Sequence, residues 1–546
     1  MLLSASTVVA QQAGNQLPKI TETIDVKVIN IDVVVTDKKG NPVTGLKKDD
    51  FELLENRTPK TISNFYEVEA QPRSIPAATV AAPAPPAVHR EEISDSQRRR
   101  IIFYIDNLTL APFNRNRVFK DMKKFAAEAM RPGIDEAMIA TFNRSMKVRV
   151  PFTRDPALIA QTLDIIAGES GEGVAGRSSS RETISRIKDA DNYDTALSIA
   201  RTYAEEIEHD LRTSVESLNA LMSTLAGVEG KKVLVLTTEG FPMQPGREMF
   251  YQLDETAHEK GWQGGSTMLE GMSFDESREI QSVANTANAN GITMYAIHAG
   301  GLAASMEGTS AENQQATSYA VTSAAVTNST ESLQTIAEMT GGLAAINTNN
   351  FSKAFQNIER DLESYYSLGY RAGTERVDRQ RSITVRVKNR NYVVRSRTSF
   401  VEKSTYAEMS DRVIANLLYK TKANDLHIVV KAGQPQAADD LFKVPVEVQI
   451  PMESLTLLPQ GEEYMGGFSL FVVVGNKEGD MSDVAQKSHQ IHVSSTDYPK
   501  IKGKYYTYAL DLMMEPGLNK ISVGVIDDVS NTSGFDRQQV IAQDLR

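Results

Sequence analysis

The sequence predicts an α/β protein: a doubly wound, mostly parallel sheet with helices on both faces, a small β unit before it and an all-β sandwich after it. Three observations carry this reading. Continuously apolar runs, "IIFYID", "EAMIATF", "VLVLTTEG" and "ITMYAIHAGG", alternate with helical periodicity, as buried parallel strands and their covering helices do. Residues 70–88 gather Pro72, Pro76, Pro83, Pro85 and Pro86 among alanines, the composition of an extended linker. After residue 403, seven strand candidates follow one another between turns, the pattern of a sandwich.

Taken in order, residues 1–19 begin "MLLSASTVVAQQ", a short apolar stretch with Val8-x-Ala10 ahead of Gln11 and no basic residues before it. Two readings stand, a signal-peptide remnant or a disordered tail, and export agrees with the rest of the chain. Residues 20–69 form an N-terminal β unit. "IDVKVINIDVVVTD" is rich in Val and Ile and stops at the turn "DKKGNPV", and "DFELLEN" and "TISNFYEV" follow. The linker runs from 70 to 95.

Residues 96–402 make the doubly wound domain. "NRVFKDMKKFAAEAM" places Val118, Met122, Phe125 and Ala129 on one helical face and stops at Arg131-Pro132-Gly133. "KVRVPF" is a shorter strand, and a further helix is expected around 329–339. A helical stripe runs from 191 to 226 without Pro or Gly. As one helix it would span about 54 Å at ~1.5 Å per residue, so it is either two helices or one with an end beyond the sheet. Three stretches exceed ordinary connections: 168–190, 243–275 and 299–328. Residues 403–546 open with the helical bridge "TYAEMSDRVIANLLY" and continue as the sandwich, in which "YYTYALDL" alternates with period two.

Composition excludes several function classes. The chain has 59 basic against 70 acidic residues, a net charge of −11, which opposes nucleic-acid binding. The cluster Arg98-Arg99-Arg100 reads as a solvated strand entry. With no cysteine in the sequence, disulfides, thiol nucleophiles and thiolate metal sites are excluded. No run of 18 apolar residues exists, so no transmembrane helix is expected. Seven histidines form no zinc-ligand spacing. His489 and His492 lie three apart on a strand and face opposite ways. No nucleophile elbow or phosphate loop is present, and His298 stands without a nucleophile. No catalytic residue is assigned and the chain is read as a non-enzyme.

Ligands of a doubly wound sheet bind outside the carboxyl ends of its strands. Asp106 and Glu239 both stand there. They are either ligands for a hard cation such as Mg²⁺ or Ca²⁺ or caps of helix N-termini.

Several segments resemble one family. "IDVVVTDKKGNPVTGLKKDDFELLEN", "GKKVLVLTTEGFP", "ANANGITMYAIHAGGL", "LQTIAEMTGGLAAINTNNF" and "DLESYYSLGYRAG", with "SITVRVKNRNYVVRSR" behind it, are similar to the von Willebrand factor type A-related proteins abundant in Acidobacteria. The resemblance covers most of residues 25–400 and implies a Rossmann-like type A domain. It further implies protein binding through a metal-ion-dependent adhesion site, whose first loop reads Asp-x-Ser-x-Ser and whose later loops supply a Thr and an Asp. Carried over, Asp106 matches the first Asp. The serine positions fall on Leu108 and Leu110, which hold no metal, and the later Asp falls on Glu239. Asn107 and Thr109 are the residues that would compensate by a register shift. Ser178, Ser179, Ser180, Thr183 and Thr195 compete for the middle hydroxyl. The resemblance therefore implies a degenerate site, with no cofactor required and Mg²⁺ or Ca²⁺ as the open alternative. It also places the three insertions at the top edge of the sheet, where Phe250, Tyr251 and Trp262 are candidate anchors for a protein partner.

The expected function is an exported interaction protein of adhesion or scaffold type, periplasmic, on the cell envelope or extracellular. Its partner is a protein of unknown identity, and assembly into a larger complex is open. The rivals are a Mg²⁺- or Ca²⁺-dependent adhesion receptor using Asp106 and Glu239, and a hydrolase with an unrecognised site in the insertion loops.

Overall fold

The computed structural model describes residues 28–69, 94–302, 318–371, 377–421 and 423–543. The expected tail at 1–19 and nearly all of the 70–95 linker lie outside them. The chain opens with β1 (Val28–Thr36), β2 (Phe51–Glu55), β3 (Thr58–Lys60) and β4 (Ile62–Glu69). The central unit then runs β5 (Arg99–Asp106), α1 (Pro112–Glu128), β6 (Asp135–Asn143), β7 (Ser145–Thr153), α2 (Pro156–Ala167), α3 (Gly173–Asp189) and α4 (Tyr193–Thr224). It continues β8 (Lys231–Thr238), α5 (Arg247–Lys260), α6 (Thr267–Met272), α7 (Ser277–Ala289), β9 (Ile292–His298), α8 (Tyr319–Thr340), β10 (Ala344–Ala345) and α9 (Phe351–Glu363).

These strands form a six-stranded sheet in the order β10-β9-β8-β5-β6-β7, parallel except for the antiparallel edge strand β7. Strand alternation explains why β5 is apolar throughout. Ile101, Phe103 and Ile105 face a core shared with α1, α2 and α9. Ile102 and Tyr104 face the opposite core, shared with α4, α7 and α8. The result is a mixed α/β architecture with a central sheet covered by helices and additional β sheets around it.

The long helical stripe is one helix. At ~1.5 Å per residue the 32 residues of α4 span about 48 Å, against roughly 26 Å for an eight-residue strand. Its C-terminal half, from Leu211 to Met222, packs on the sheet. Its N-terminal half projects beyond it, and Tyr193, Ala196, Ala200, Tyr203 and Ala204 build a satellite core with α3 and α5. Two of the three stretches expected as long connections are thus largely helical: 168–190 holds α3, and 243–275 holds α5 and α6, while residues 303–317 of the third, 299–328, lie outside the described residues. In α3, Thr183, Ile184 and Ile187 are its inward residues after the first turn, and no proline interrupts them. The helix expected at 329–339 begins earlier, at Tyr319.

The expected division at residues 69 and 402 is redrawn by strand pairing. The strands after α9 are β11 (Ser364–Arg371), β12 (Gln380–Val387), β13 (Val393–Ser396) and β14 (Ser399–Val401). They join the N-terminal strands in two four-stranded sheets, β13-β1-β11-β4 and β14-β12-β2-β3. Each set is only half a core. Tyr366, Leu368 and Tyr370 share one face of β11 and bury it against Ile31, Val33, Val35, Phe51 and Leu53. The central α/β unit is therefore inserted between β4 and β11 of a single two-sheet module.

Helix α10 (Thr405–Tyr419) leads to the last region: β15 (Val429–Ala432), β16 (Gln436–Ala438), β17 (Leu441–Pro451), β18 (Leu458–Gln460), β19 (Glu463–Asn476), β20 (Ala485–Ser494), β21 (Tyr505–Met514), β22 (Gly517–Asp527) and β23 (Ser533–Ala542). They form two antiparallel sheets, one around β17 and one around β19 and β22. Met409, Val413 and Leu417 of α10 pack on Phe471, Val473, Ile526 and Phe535.

Arg98-Arg99-Arg100 is not a solvated entry. All three arginines are buried. Arg98 pairs with Asp95 at 2.7 Å, Arg99 forks onto Asp135, and Arg100 pairs with Glu136. The acids at the start of β6 lie beside the start of β5, so these charges meet partners as the sheet forms.

Candidate functional site

In the order β10-β9-β8-β5-β6-β7 the chain leaves β5 for β6 on one side and later returns to β8 on the other. The crevice beyond the carboxyl ends of β5 and β8 is thus the topological switch point, where an α/β sheet opens to a ligand. Asp106 ends β5, and Thr238-Glu239 ends β8.

Asp106 is fully buried. Its Oδ2 accepts the hydroxyls of Thr109 and Thr238, each at 2.7 Å. Those hydroxyls are themselves held, because Thr109 Oγ1 accepts the Glu239 N–H at 3.1 Å and Thr238 Oγ1 accepts the Gly240 N–H at 3.1 Å. Asp106 Oδ1 has no hydrogen-bond partner. Burial outweighs the two hydroxyl bonds and the opposing backbone N–H groups of Thr109 and Leu108, and pushes the carboxyl up to about 6.

Glu239 is engaged on both oxygens. Oε1 accepts the Ala111 N–H at 2.9 Å, at the N-cap of α1, and Oε2 pairs with the Arg177 guanidinium. A carboxylate at that helix end also meets the positive end of the helix dipole. Arg177 comes from α3, whose start is pressed against the β5–α1 loop. A Cβ on Gly173 would be driven into the Thr109 carbonyl oxygen, so only glycine fits this approach. Arg177 stands four residues on, on the same helical face as Gly173, and reaches Glu239 from there.

Asn107, expected as a compensating ligand, faces elsewhere. Its Oδ1 accepts from Arg115 Nη1 at 3.0 Å, while Nη2 of the same buried arginine donates to the carbonyls of Ala167 and Glu169 at 3.2 and 2.7 Å. Asn107 thus ties α1 to the segment leading into α3. Leu108 and Leu110 are buried in the two opposite cores. Besides Thr109, the hydroxyl bonded to Asp106 is that of Thr238. Among the residues expected to compete for that place, Ser178 bonds its own helix at Val174 O, Thr183 is buried in α3, and Thr195 sits in the first turn of α4. Sequence reasoning missed both Thr238 and Arg177. A threonine directly before Glu239, on the strand beside β5, was the available signal for the first; nothing local marks Arg177.

Phe250, expected as an exposed anchor, is 3% exposed and packs on Phe274 in the satellite core. Tyr251 and Trp262 pack on the same core from its edge, and the Lys260 ammonium lies 4.9 Å from the Trp262 ring. These aromatics hold α5 against α4. His298, at the end of β9, is buried, and its Nδ1 lacks a partner. Burial, with the nearby Arg177 charge, holds its imidazole below the usual range.

At the switch point a cavity of about 300 Å³ is lined by Leu108, Thr109, Arg177, Tyr203, Glu239 and Glu248, among others. Among the described residues no group of three or more His, Asp or Glu side chains is placed to hold a metal ion. Mg²⁺ requires near-octahedral oxygen ligands. Where the resemblance expects two serine hydroxyls, Leu108 and Leu110 are buried; the Thr109 and Thr238 hydroxyls bond to Asp106, and Glu239 pairs with a guanidinium.

No family model and no curated protein matches the chain. Solved structures show weak likenesses. An aerotolerance-related membrane protein from Bacteroides fragilis is 12% identical over 48% of this chain and 98% of its own, with a TM-score of 0.25. The conserved hypothetical protein BatB from Bacteroides thetaiotaomicron is 11% identical over 49% of this chain and 99% of its own, at 0.22. The manganese-loaded TRAP protein of Plasmodium vivax is 9% identical over 57% of this chain and 97% of its own, at 0.22. Likenesses this distant carry no argument about ligands or partners.

Proposed function

We propose that the chain is an exported protein-interaction protein of adhesion or scaffold type, built on a von Willebrand A-like domain. Its binding face is the rim at the carboxyl ends of β5 and β8, and it works without a bound metal. The observation that carries this reading is the state of Glu239. The second acid of the rim is shared between the Ala111 N–H and the Arg177 guanidinium, which fills the place where a cation would act. The linking of α3, the β5–α1 loop and the β8 end by Asp106, Thr109, Thr238, Glu239 and Arg177 makes the rim a rigid platform. Rigid platforms that position loops are where protein binding resides. No helix among the described residues is long and apolar enough to cross a membrane.

Thermal unfolding of the full chain, with EDTA and then with millimolar Mg²⁺, Ca²⁺ or Mn²⁺, tests the metal-free reading. A ligand confined to the folded state at a hundredfold excess over its Kd stabilises by ~2.7 kcal/mol. The expected result is the same Tm in every condition. A shift that Asp106→Ala abolishes would instead establish a metal-dependent receptor using Asp106 and Glu239.

A further inference from the structure

Side chains from distant parts of the chain meet beside the end of α7. Asn290, at the C-cap of α7, is buried, Lys403 lies between β14 and α10, and Asp411 belongs to α10. Lys403 Nζ donates to Asn290 Oδ1 at 2.8 Å and to Asp411 Oδ2 at 2.5 Å. The carboxamide carbon of Asn290 stands one C=O bond, ~1.23 Å, behind that oxygen. Its Nδ2 has no hydrogen-bond partner among the described residues. Neighbouring bonds hold the group in place. Asn288 Nδ2 donates to Ser399 Oγ at 3.1 Å and Gln380 Nε2 to Asn285 Oδ1 at 2.8 Å, which fixes α7 against β14 and β12. The Ser404 hydroxyl caps α10 by accepting the Ala407 N–H. Burial pushes the Asp411 carboxyl up against the pull of Lys403 and Lys232, so it takes a proton more readily than an ordinary carboxylate. An ion pair needs only the lysine and the aspartate. The buried carboxamide adds an electrophile to a nucleophile and a proton carrier.

We propose that Lys403 and Asn290 join in an intramolecular isopeptide bond, with Asp411 as the proton carrier. Asp411 takes a proton from the Lys403 ammonium, and the freed amine attacks Cγ of Asn290. The Nζ–Cγ bond forms, Asp411 passes its proton to Nδ2, and the Cγ–Nδ2 bond breaks. Ammonia leaves and carries off the second amine proton as ammonium. A lysine ammonium and a carboxamide thus become a secondary amide and ammonium, without oxidant or cofactor. Fixed contact between the reacting groups replaces an encounter in solution, which is what makes an amide reactive toward an amine here. The bond does not depend on what the rim binds. It closes the loop from Asn290 to Lys403, which contains β9 and β11–β14. Tension applied from the C-terminal sandwich then passes directly into the central α/β unit and bypasses those strands.

The test is the intact mass of the purified full chain, followed by tandem mass spectrometry of its proteolytic digest. The chain is expected to be lighter than its sequence by one ammonia, and the digest to yield a branched peptide joining the segments around Asn290 and Lys403. Lys403→Arg, and Asp411→Asn with unchanged far-UV circular dichroism, are each expected to restore the full mass and linear peptides. Full mass and linear peptides in the parent chain would overturn the proposal, whatever the variants do. So would a mass loss that persists in Lys403→Arg, because Asn290 precedes Gly291 and a succinimide formed there also releases ammonia without any cross-link. A branched peptide retained in Asp411→Asn would overturn the role of Asp411 as proton carrier.

Discussion

Replacing Asp106 with asparagine isolates one ionisation in the centre of the molecule. The parent carboxyl titrates at about 6 when folded, against 3.8 for an ordinary aspartate. At ~1.4 kcal/mol per tenfold change in proton affinity, that gap amounts to ~3 kcal/mol. Because the folded value is the higher one, the native protein holds a proton that the unfolded chain has lost between pH 3.8 and 6. Stability from this group is therefore full below pH 3.8, falls as pH rises, and is gone above about 6. The substituted amide brings costs of its own, since it meets the place of an unpartnered oxygen, but those costs do not titrate. The informative quantity is the stability of Asp106→Asn minus that of the parent. It is expected to move by ~3 kcal/mol in favour of the variant from about pH 4 to about pH 7. Urea unfolding followed by fluorescence measures it, because Trp262 is the only tryptophan and packs on the α3–α5 core beside the projecting end of α4. A flat difference would refute the reasoning. A difference of opposite slope would mean that Asp106 is held ionised when folded, as a bound cation would hold it.

Two further changes test the elements around the site. Lys232 is buried and donates to Val228 O at 2.7 Å, and burial pulls its ammonium down from 10.5 to about 7. The unfolded chain therefore binds the extra proton between those values, so the parent should gain stability from about pH 7 toward 10, and Lys232→Met should remove that gain in matched urea titrations. Gly173→Ala forces a methyl group onto the Thr109 carbonyl and should cost about 2–3 kcal/mol by Trp262 fluorescence. Gly176→Ala, in the same helix with open space around it, should be neutral or stabilising by up to ~1 kcal/mol. Equal effects of the two would mean that α3 does not press on the β5–α1 loop.

What the sequence discloses divides along a physical line. Strands such as β5 and β8 are apolar on both faces, and that composition has one explanation in an α/β chain. The ends of those strands are also legible, so Asp106 and Glu239 can be located. Pairing between distant segments is not. Nothing in "YYSLGY" states that its partner strand is "VINIDVVVT", because register depends on two half-cores meeting in space. The same holds for Arg177. A serine- and arginine-rich stretch reads as a solvated connection until α4 projects far enough to give α3 a surface to fold on. Phe250 is misread for this reason too. An aromatic in an insertion looks exposed only while the core it belongs to is unseen.

The pairing of β1 with β11 joins Val28 to Arg371, so the first described strand waits for a partner made roughly 340 residues later. At ~5–20 residues per second, synthesis of that interval takes some tens of seconds. Throughout it, β1 and β4 present open edges and one-sided apolar faces, the features that invite pairing with the wrong chain. The two-sheet module is therefore the last part of this region able to close, and the central α/β unit can fold before it. A chain kept unfolded until its whole length is delivered avoids that interval, because both halves of the module then arrive together.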